Sequence, residues 1–182
     1  MPTVLISTES LIDVRGPWVE MLEEAEFEIQ YPEDRTFSRG LCSEDETVRV
    51  LSVAAAVIAG GEVFTPGVLH RLSQLRVIAR FGVGYDRIDV AAATARGILI
   101  TITPNANHES VAEQVFALLL GVAKAVVAND AKARAGRWRR KLSEPIRGKT
   151  LGIFGLGRIG RSTAIRGLGM RMSVIATETA PD

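Results

Sequence analysis

Gly155-Leu156-Gly157-Arg158-Ile159-Gly160 sets three glycines at the G-x-G-x-x-G spacing, a pattern whose chemistry is the cradling of phosphate by backbone amides. The apolar run Leu151–Phe154 before it reads as a strand, and Arg158–Leu168 after it as a helix. In that setting Gly155 permits the tight turn, Gly157 lets backbone approach a pyrophosphate, and Gly160 lets the helix pack closely on its strand. The N–H groups of Arg158, Ile159 and Gly160 open the helix and face the phosphates. Ser173–Ala176 reads as the next strand. Glu178, 18 residues after Gly160, closes it where a carboxylate can accept hydrogen bonds from an adenosine ribose. A carboxylate there repels a 2′-phosphate, so the expected cofactor is NAD rather than NADP. The same residues also admit a plainer reading, in which the glycines serve only to pack helix on strand.

A second constellation lies upstream. Arg76–Phe81 reads as a strand, and Gly82-Val83-Gly84 stands at its carboxyl end, the place where open α/β sheets bind ligands. Successive exposed N–H groups in such a turn form a small anion-binding nest. A glycine turn that simply enters the next helix, Val90–Arg96, explains the local residues equally well.

The elements that must position these turns alternate between strand and helix, as expected of an α/β protein with a parallel sheet. Thr3–Ser7, Phe27–Tyr31, Ala55–Ala59 and Ile98–Ile102 read as further strands. Pro17–Glu24 reads as a helix with Trp18, Met21 and Leu22 on one face, and Glu44–Leu51 as another. Thr65 caps a helix that has Pro66 in its first turn and runs to Leu72. Pro32–Ser43 is polar and reads as loop. Ser110-Val111-Ala112-Glu113 has the spacing of a helix capping box. The helix after it carries Val111, Val115, Leu118, Leu119, Val122 and Val126, which is too apolar to face water on many sides. The basic run Arg137, Arg139, Arg140 and Lys141 reads as a solvated face. The best domain boundary falls near Pro104, giving residues 1–103 and 104–182.

Composition narrows the class. The chain has 182 residues with 47% hydrophobic and 24% charged, and a formal net charge of +1. That balance gives no general reason to expect nucleic acid or an anionic membrane as partner. Cys42 is the only cysteine, which excludes an internal disulfide and a cysteine-rich zinc site. The longest apolar runs, Val53–Ala59 and Val115–Ala123, are too short to span a bilayer, and MPTVLISTES lacks the marks of a secretory signal. A cytoplasmic setting is the default expectation.

The segments AAAVIAGGE, LRVIARFGVGYDRIDVAAATARGI, TPNANHESVAEQVFALLLGVAK, ARAGRW and GKTLGIFGLGRIGR together resemble the D-isomer-specific 2-hydroxyacid dehydrogenases, the group that includes phosphoglycerate dehydrogenase. The resemblance covers about Ala54 to Asp182; residues 1 to 53 fit by pattern only. It implies a flavodoxin-like substrate domain and a Rossmann-type NAD-binding domain, the latter incomplete here. It implies that N–H groups at Val83 and Gly84 hold a substrate carboxylate. It also places Val111 to Glu113 beside the cofactor and makes Glu109 to Trp138 a homodimer interface. The implied reaction is hydride transfer between NAD and a small 2-hydroxy or 2-oxo acid.

Two departures from the family pattern stand out. The helix after the glycine motif reaches Gly169 and Met170 about half a turn early, which predicts an irregular helix–strand junction. The loop Gly60-Gly61-Glu62 lacks the basic residue that phosphoglycerate-specific members carry, which argues against 3-phosphoglycerate. The family's catalytic arginine, glutamate and histidine are expected beyond Asp182, so this chain alone is expected to be inactive. His70 and His108 are its only histidines, and neither matches the catalytic one. No Ser–His–Asp set, metal cluster or paired carboxylates appear instead. Two other readings compete: a non-catalytic NAD-binding or dimerisation module, and an S-adenosylhomocysteine hydrolase, against which GVGYDRID and ARAGRW argue.

Overall fold

The computed structural model describes residues 1–138 and 142–179. The chain forms two compact units, Met1–Ala106 and Asn107–Asp182. In the first, β1 (Thr3–Ile6), β2 (Glu28–Gln30), β3 (Ala54–Ala59), β4 (Val77–Arg80) and β5 (Leu99–Thr101) build one sheet in the order β2-β1-β3-β4-β5. Every pairing is parallel. Val4, Leu5 and Ile6 are buried in succession, as a parallel strand covered on both faces requires. Register sets Leu5 opposite Val57, Val57 opposite Ile78 and Ile78 opposite Ile100. Phe37, Leu51, Phe64, Leu69, Leu72 and Leu75 close over that row with almost no exposed surface. Burying each such side chain stabilises the fold by about 1.5–3 kcal/mol.

Four helices cover this sheet: α1 (Pro17–Glu24), α2 (Glu44–Leu51), α3 (Pro66–Arg71) and α4 (Val90–Ala95). The last three start at side-chain caps. Ser43 accepts from the N–H of Glu46, Thr65 from that of Val68 at 3.2 Å, and Asp89 from that of Ala92 at 2.8 Å. Two expectations are corrected. Met21 is exposed, and α1 instead packs inward through Val19. The stretch 32–43 is not plain loop, because Phe37–Arg39 forms a 3₁₀ turn that buries Phe37 and Ser38. An aromatic ring in a polar segment finds its place only once a core exists to receive it.

The second unit contains α5 (His108–Ala123), α6 (Val126–Arg134), β6 (Thr150–Phe154), α7 (Arg158–Gly169) and β7 (Ser173–Thr177). Strands β6 and β7 pair in parallel, with Leu151 opposite Val174 and Ile153 opposite Ala176. The expected capping box does not form. Helix α5 begins at His108 after Asn107, with Ser110 inside its first turn. Glu113 turns instead toward Arg166 of α7, 3.5 Å away, and Glu109 meets the same guanidinium at 2.7 Å. A charged partner outcompetes a backbone amide for a carboxylate. The apolar helix is also not continuous: Ala125 adopts left-handed φ 49°, and α5 and α6 bend by 59° across it. Among the described residues no single helix is long and apolar enough to cross a membrane.

The junction after α7 is irregular in a definite way. Met172 N–H donates to Gly167 O at 3.0 Å and Arg171 N–H to Leu168 O at 2.9 Å, the two bonds of a Schellman ending. The left-handed residue there is Arg171, φ 59°, where glycine is usual. Of the basic run, Arg137 is described, whereas Arg139, Arg140 and Lys141 lie outside the described residues.

Candidate functional site

Each unit presents one strand end with backbone donors. In the second unit, β6 runs into Gly155, whose φ of +90° is a conformation L side chains rarely adopt. A Cβ on Gly160 would collide with Gly155 O, so α7 can cross the turn this closely only with glycine there. A Cβ on Gly157 would meet nothing. Open space at that position is what close approach by a ligand needs. Gly157 is the N-cap of α7 and supplies no side-chain cap. The first intrahelical bond is Arg161 N–H to Gly157 O, so the N–H groups of Arg158, Ile159 and Gly160 project beyond the helix start. The helix dipole adds partial positive charge at the same place. Three amides, an open approach and a favourable field fit a diphosphate.

Glu178 lies just past the end of β7, and its contact with the glycine turn is not legible in the sequence. One carboxylate oxygen accepts the N–H of Leu156 at 2.5 Å, and the other accepts the N–H of Thr179 at 2.8 Å. The carboxylate is thereby fixed beside the turn, and the Thr179 hydroxyl also donates to it at 3.1 Å. Val111 sits in the first turn of α5, partly exposed. That helix is held to α7 through Phe116, whose ring faces Gly167, and through the Arg166 pair with Glu109. Hydrogen bonds from the Arg166 guanidinium first and the Ser162 hydroxyl second hold the Glu109 carboxyl below the ordinary range, with the charge of Arg166 adding to them.

The other strand end belongs to the first unit. Gly82 N–H donates to Arg80 O at 2.9 Å, and Gly82 O accepts from Thr103 N–H at 2.9 Å. The turn therefore retains Val83 and Gly84 as donors with no acceptor among the described residues. Arg80 lies beneath it: a Cβ on Gly82 would stand 2.8 Å from Arg80 Nη1, which itself donates to Phe81 O at 2.5 Å. Two amides with a guanidinium beside Gly82 suit a carboxylate, and the Asp86 carboxylate stands at the same turn, its Oδ1 3.1 Å from where a Cβ on Gly84 would be.

The surroundings of this turn are tightly braced. Arg87 donates to Arg39 O at 3.1 Å and to Gly61 O at 2.6 Å. Phe64 and the 85–89 segment exchange backbone bonds, Phe64 N–H to Arg87 O and Asp89 N–H to Phe64 O. Three loops thus close on one cavity of about 310 Å³, lined by Gly61, Glu62, Arg80, Gly84, Tyr85 and Arg87 among others. Neither histidine lines it. His70 is exposed on α3, and His108 opens α5 with Nε2 3.3 Å from Glu109. The sequence alone marks neither Arg80 nor Glu62 as a site residue. The one available signal was their position at the carboxyl ends of β4 and β3.

Fold and site together define an α/β protein with a flavodoxin-like sheet and the opening of a Rossmann-type unit. The profile for the D-isomer specific 2-hydroxyacid dehydrogenase catalytic domain matches residues 4–180, and the chain belongs to that family. It is 39% identical over 167 residues to glyoxylate reductase of Pyrococcus furiosus, covering 86% of this chain and 48% of that protein. It is 38% identical over 138 residues to D-3-phosphoglycerate dehydrogenase of Methanocaldococcus jannaschii, covering 75% of this chain and 26% of that protein. Among solved structures, D-lactate dehydrogenase from Aquifex aeolicus complexed with NAD and lactic acid superposes with a TM-score of 0.75. It is 26% identical to this chain, of which it covers 99%, and 52% of that structure is matched. The chain therefore spans about half the length or less of the relatives named here.

Proposed function

We propose that this chain supplies the substrate-binding unit and the first part of the cofactor unit of an NAD-dependent oxidoreductase acting on a small 2-hydroxy or 2-oxo acid. The observation that carries this reading is the pair of strand ends, one in each unit, each offering backbone donors with no acceptor among the described residues. Gly155, Gly157 and the amides of Arg158, Ile159 and Gly160 would hold the dinucleotide's phosphates, with Glu178 on the adenosine ribose and Val111 alongside. NAD supplies or accepts the hydride when bound. Val83 and Gly84 would hold the acid's carboxylate, with Gly82 shaping the turn and Arg80 adding charge beneath it. The loop at Gly60–Glu62 offers no cation for a phosphate, which favours a substrate without one. We assign residues 1–103 and 104–182 to these two roles, in a cytoplasmic protein.

The exposed apolar side chains of α5 and α6 support a homodimer through Glu109 to Trp138. Leu118, Val122 and Val127 are largely exposed, and Trp138 is 91% exposed, a band that a second copy would cover. The described residues place no histidine at the Val83–Gly84 turn, so the chain by itself is expected to bind more readily than it turns over.

Parallel titration of the 182-residue chain with NADH and NADPH, followed by glyoxylate, tests the assignment. The expected result is saturable NADH binding at least tenfold tighter than NADPH, because Glu178 repels a 2′-phosphate, with little or no NADH oxidation. Equal or tighter NADPH binding would overturn the role given to Glu178. Absence of binding by either nucleotide would overturn the cofactor reading.

A further inference from the structure

Glu62 is the one acidic side chain among the described residues that is buried, at 3% exposure. It follows β3, next to the point where the strand order reverses between β1 and β3. It lines the same cavity as Arg80 and Gly84. Neither of its carboxyl oxygens is reached by solvent, and neither closes a hydrogen bond. The Ser7 hydroxyl stands near but donates to Ile58 O at 3.0 Å. A carboxyl in this position costs stability as an anion, and a surface loop offers many cheaper places for a glutamate.

We propose that Glu62 is a positioning residue for the anion site at Val83 and Gly84: acting through Arg80, it sets how much positive charge stands beneath those two amides. The proposal rests on the carboxylate-binding role proposed above for that turn. Among the described residues Arg80 is the cation that both lies against the turn and lines the cavity with Glu62. Its guanidinium lies against Gly82 on one side, and its charge acts on Glu62 on the other. Arg39 and Arg87 line the same cavity; Arg39 is paired with Glu9 at 3.0 Å, and Arg87, like Arg80, is bonded to neutral carbonyls, which leave its charge in place. Asp86 and Tyr85 face the cavity from the loop after β4, and Ser7 approaches from the end of β1.

The linkage has a definite sign. Burial raises the Glu62 pKa above its ordinary value of 4.5; the Ser7 hydroxyl and the backbone N–H groups of Gly60 and Glu62, near it but short of hydrogen-bond geometry, offset part of that rise, and the charge of Arg80 a smaller part. An ionised Glu62 cancels part of Arg80's charge, and a carboxylate bound at Val83 and Gly84 disfavours that ionisation further. Anion binding is therefore accompanied by proton uptake at Glu62, and affinity falls as pH rises through the Glu62 pKa. The same group contributes stability at low pH that is lost over the same rise.

The test uses the 182-residue chain, with oxalate as probe and amide shifts of Val83 and Gly84 as readout, from pH 5 to pH 8. The Glu62 side-chain carboxyl is followed by ¹³C resonance in the same samples. Native protein should bind oxalate about threefold to tenfold more weakly at pH 8 than at pH 5, and the Glu62 midpoint should rise on saturation. Glu62→Gln should bind as tightly at pH 8 as at pH 5. If native protein and Glu62→Gln share one pH profile, and the Glu62 midpoint does not move, the inference fails while the carboxylate site stands. If oxalate leaves Val83 and Gly84 unshifted at every pH in both proteins, the site itself fails, and the inference with it. The ¹³C titration needs no substitution, so a misfolded variant would not leave the question open.

Discussion

Both units run a parallel strand into a glycine turn and then a helix, yet the two turns have different means of holding an anion. After β6 the helix starts at once: α7 opens at Arg158 with no side-chain cap, leaving first-turn amides and the helix dipole to a ligand. After β4, α4 starts only at Val90, and Asp89 already caps it at 2.8 Å. A capped, six-residue helix offers little to an anion. The first unit relies instead on two turn amides with Arg80 behind them. The difference teaches that a glycine turn before a helix does not define one kind of site. A dipole site with several amides suits an extended diphosphate, whereas two amides over one cation suit a single carboxylate.

The largest expected effect separates the two glycines of α7. Gly160→Ala forces a Cβ onto Gly155 O, a backbone atom that cannot swing away. Chemical denaturation should show a loss of about 1–3 kcal/mol, and NADH binding should weaken by at least tenfold. Gly157→Ala meets nothing, so stability should stay within about 0.5 kcal/mol while NADH affinity still falls about tenfold. Equal stability losses in both would break the distinction between a packing glycine and an approach glycine.

Asp89→Ala sharpens the other side of the comparison. Losing this cap should destabilise the first unit by about 1 kcal/mol. Oxalate binding at Val83 and Gly84 should be unchanged or slightly tighter, since a carboxylate has been removed from the neighbourhood. A large loss of oxalate affinity would mean that the helix start belongs to the anion site after all.

The smallest expected effect concerns the helix exits. Helix α4 leaves through Gly97 at φ 67°, and α7 leaves through Arg171 at φ 59°. Both make the same pair of closing bonds, but only one uses glycine. Arg171→Gly relieves the left-handed strain and should raise stability by about 0.5–1 kcal/mol, the larger freedom of glycine in the unfolded chain offsetting part of the gain. Thermal melting of the two proteins at equal concentration checks it.

How much of this was legible in the residues varies with the range of the interaction. The cap at Thr65, the glycine turns and the order of strands and helices come from contacts within a few positions along the chain, and local pattern is enough to read them. Asp89 before Val-Ala-Ala-Ala and Ser43 before the acidic start of α2 carry the same local cap signal. The capping box at Ser110 misled, because its rival partner Arg166 is 53 residues from Glu113. The bend at Ala125 was equally hidden, since no glycine or proline marks it.

By itself, then, the sequence determined the family, the alternation of strand and helix, and the two glycine turns that carry backbone donors at strand ends. Each of these follows from apolar periodicity and from residues whose conformational freedom is local. Only the tertiary structure decided which side chains stand behind those donors. Glu62, sealed just after β3 in the cavity it shares with Arg80 of β4, and Glu178, just after β7 on the Leu156 amide that follows β6, join residues from different strands. Charge and burial act through space, and the spacing of letters along a chain does not encode which distant groups the sheet will bring together.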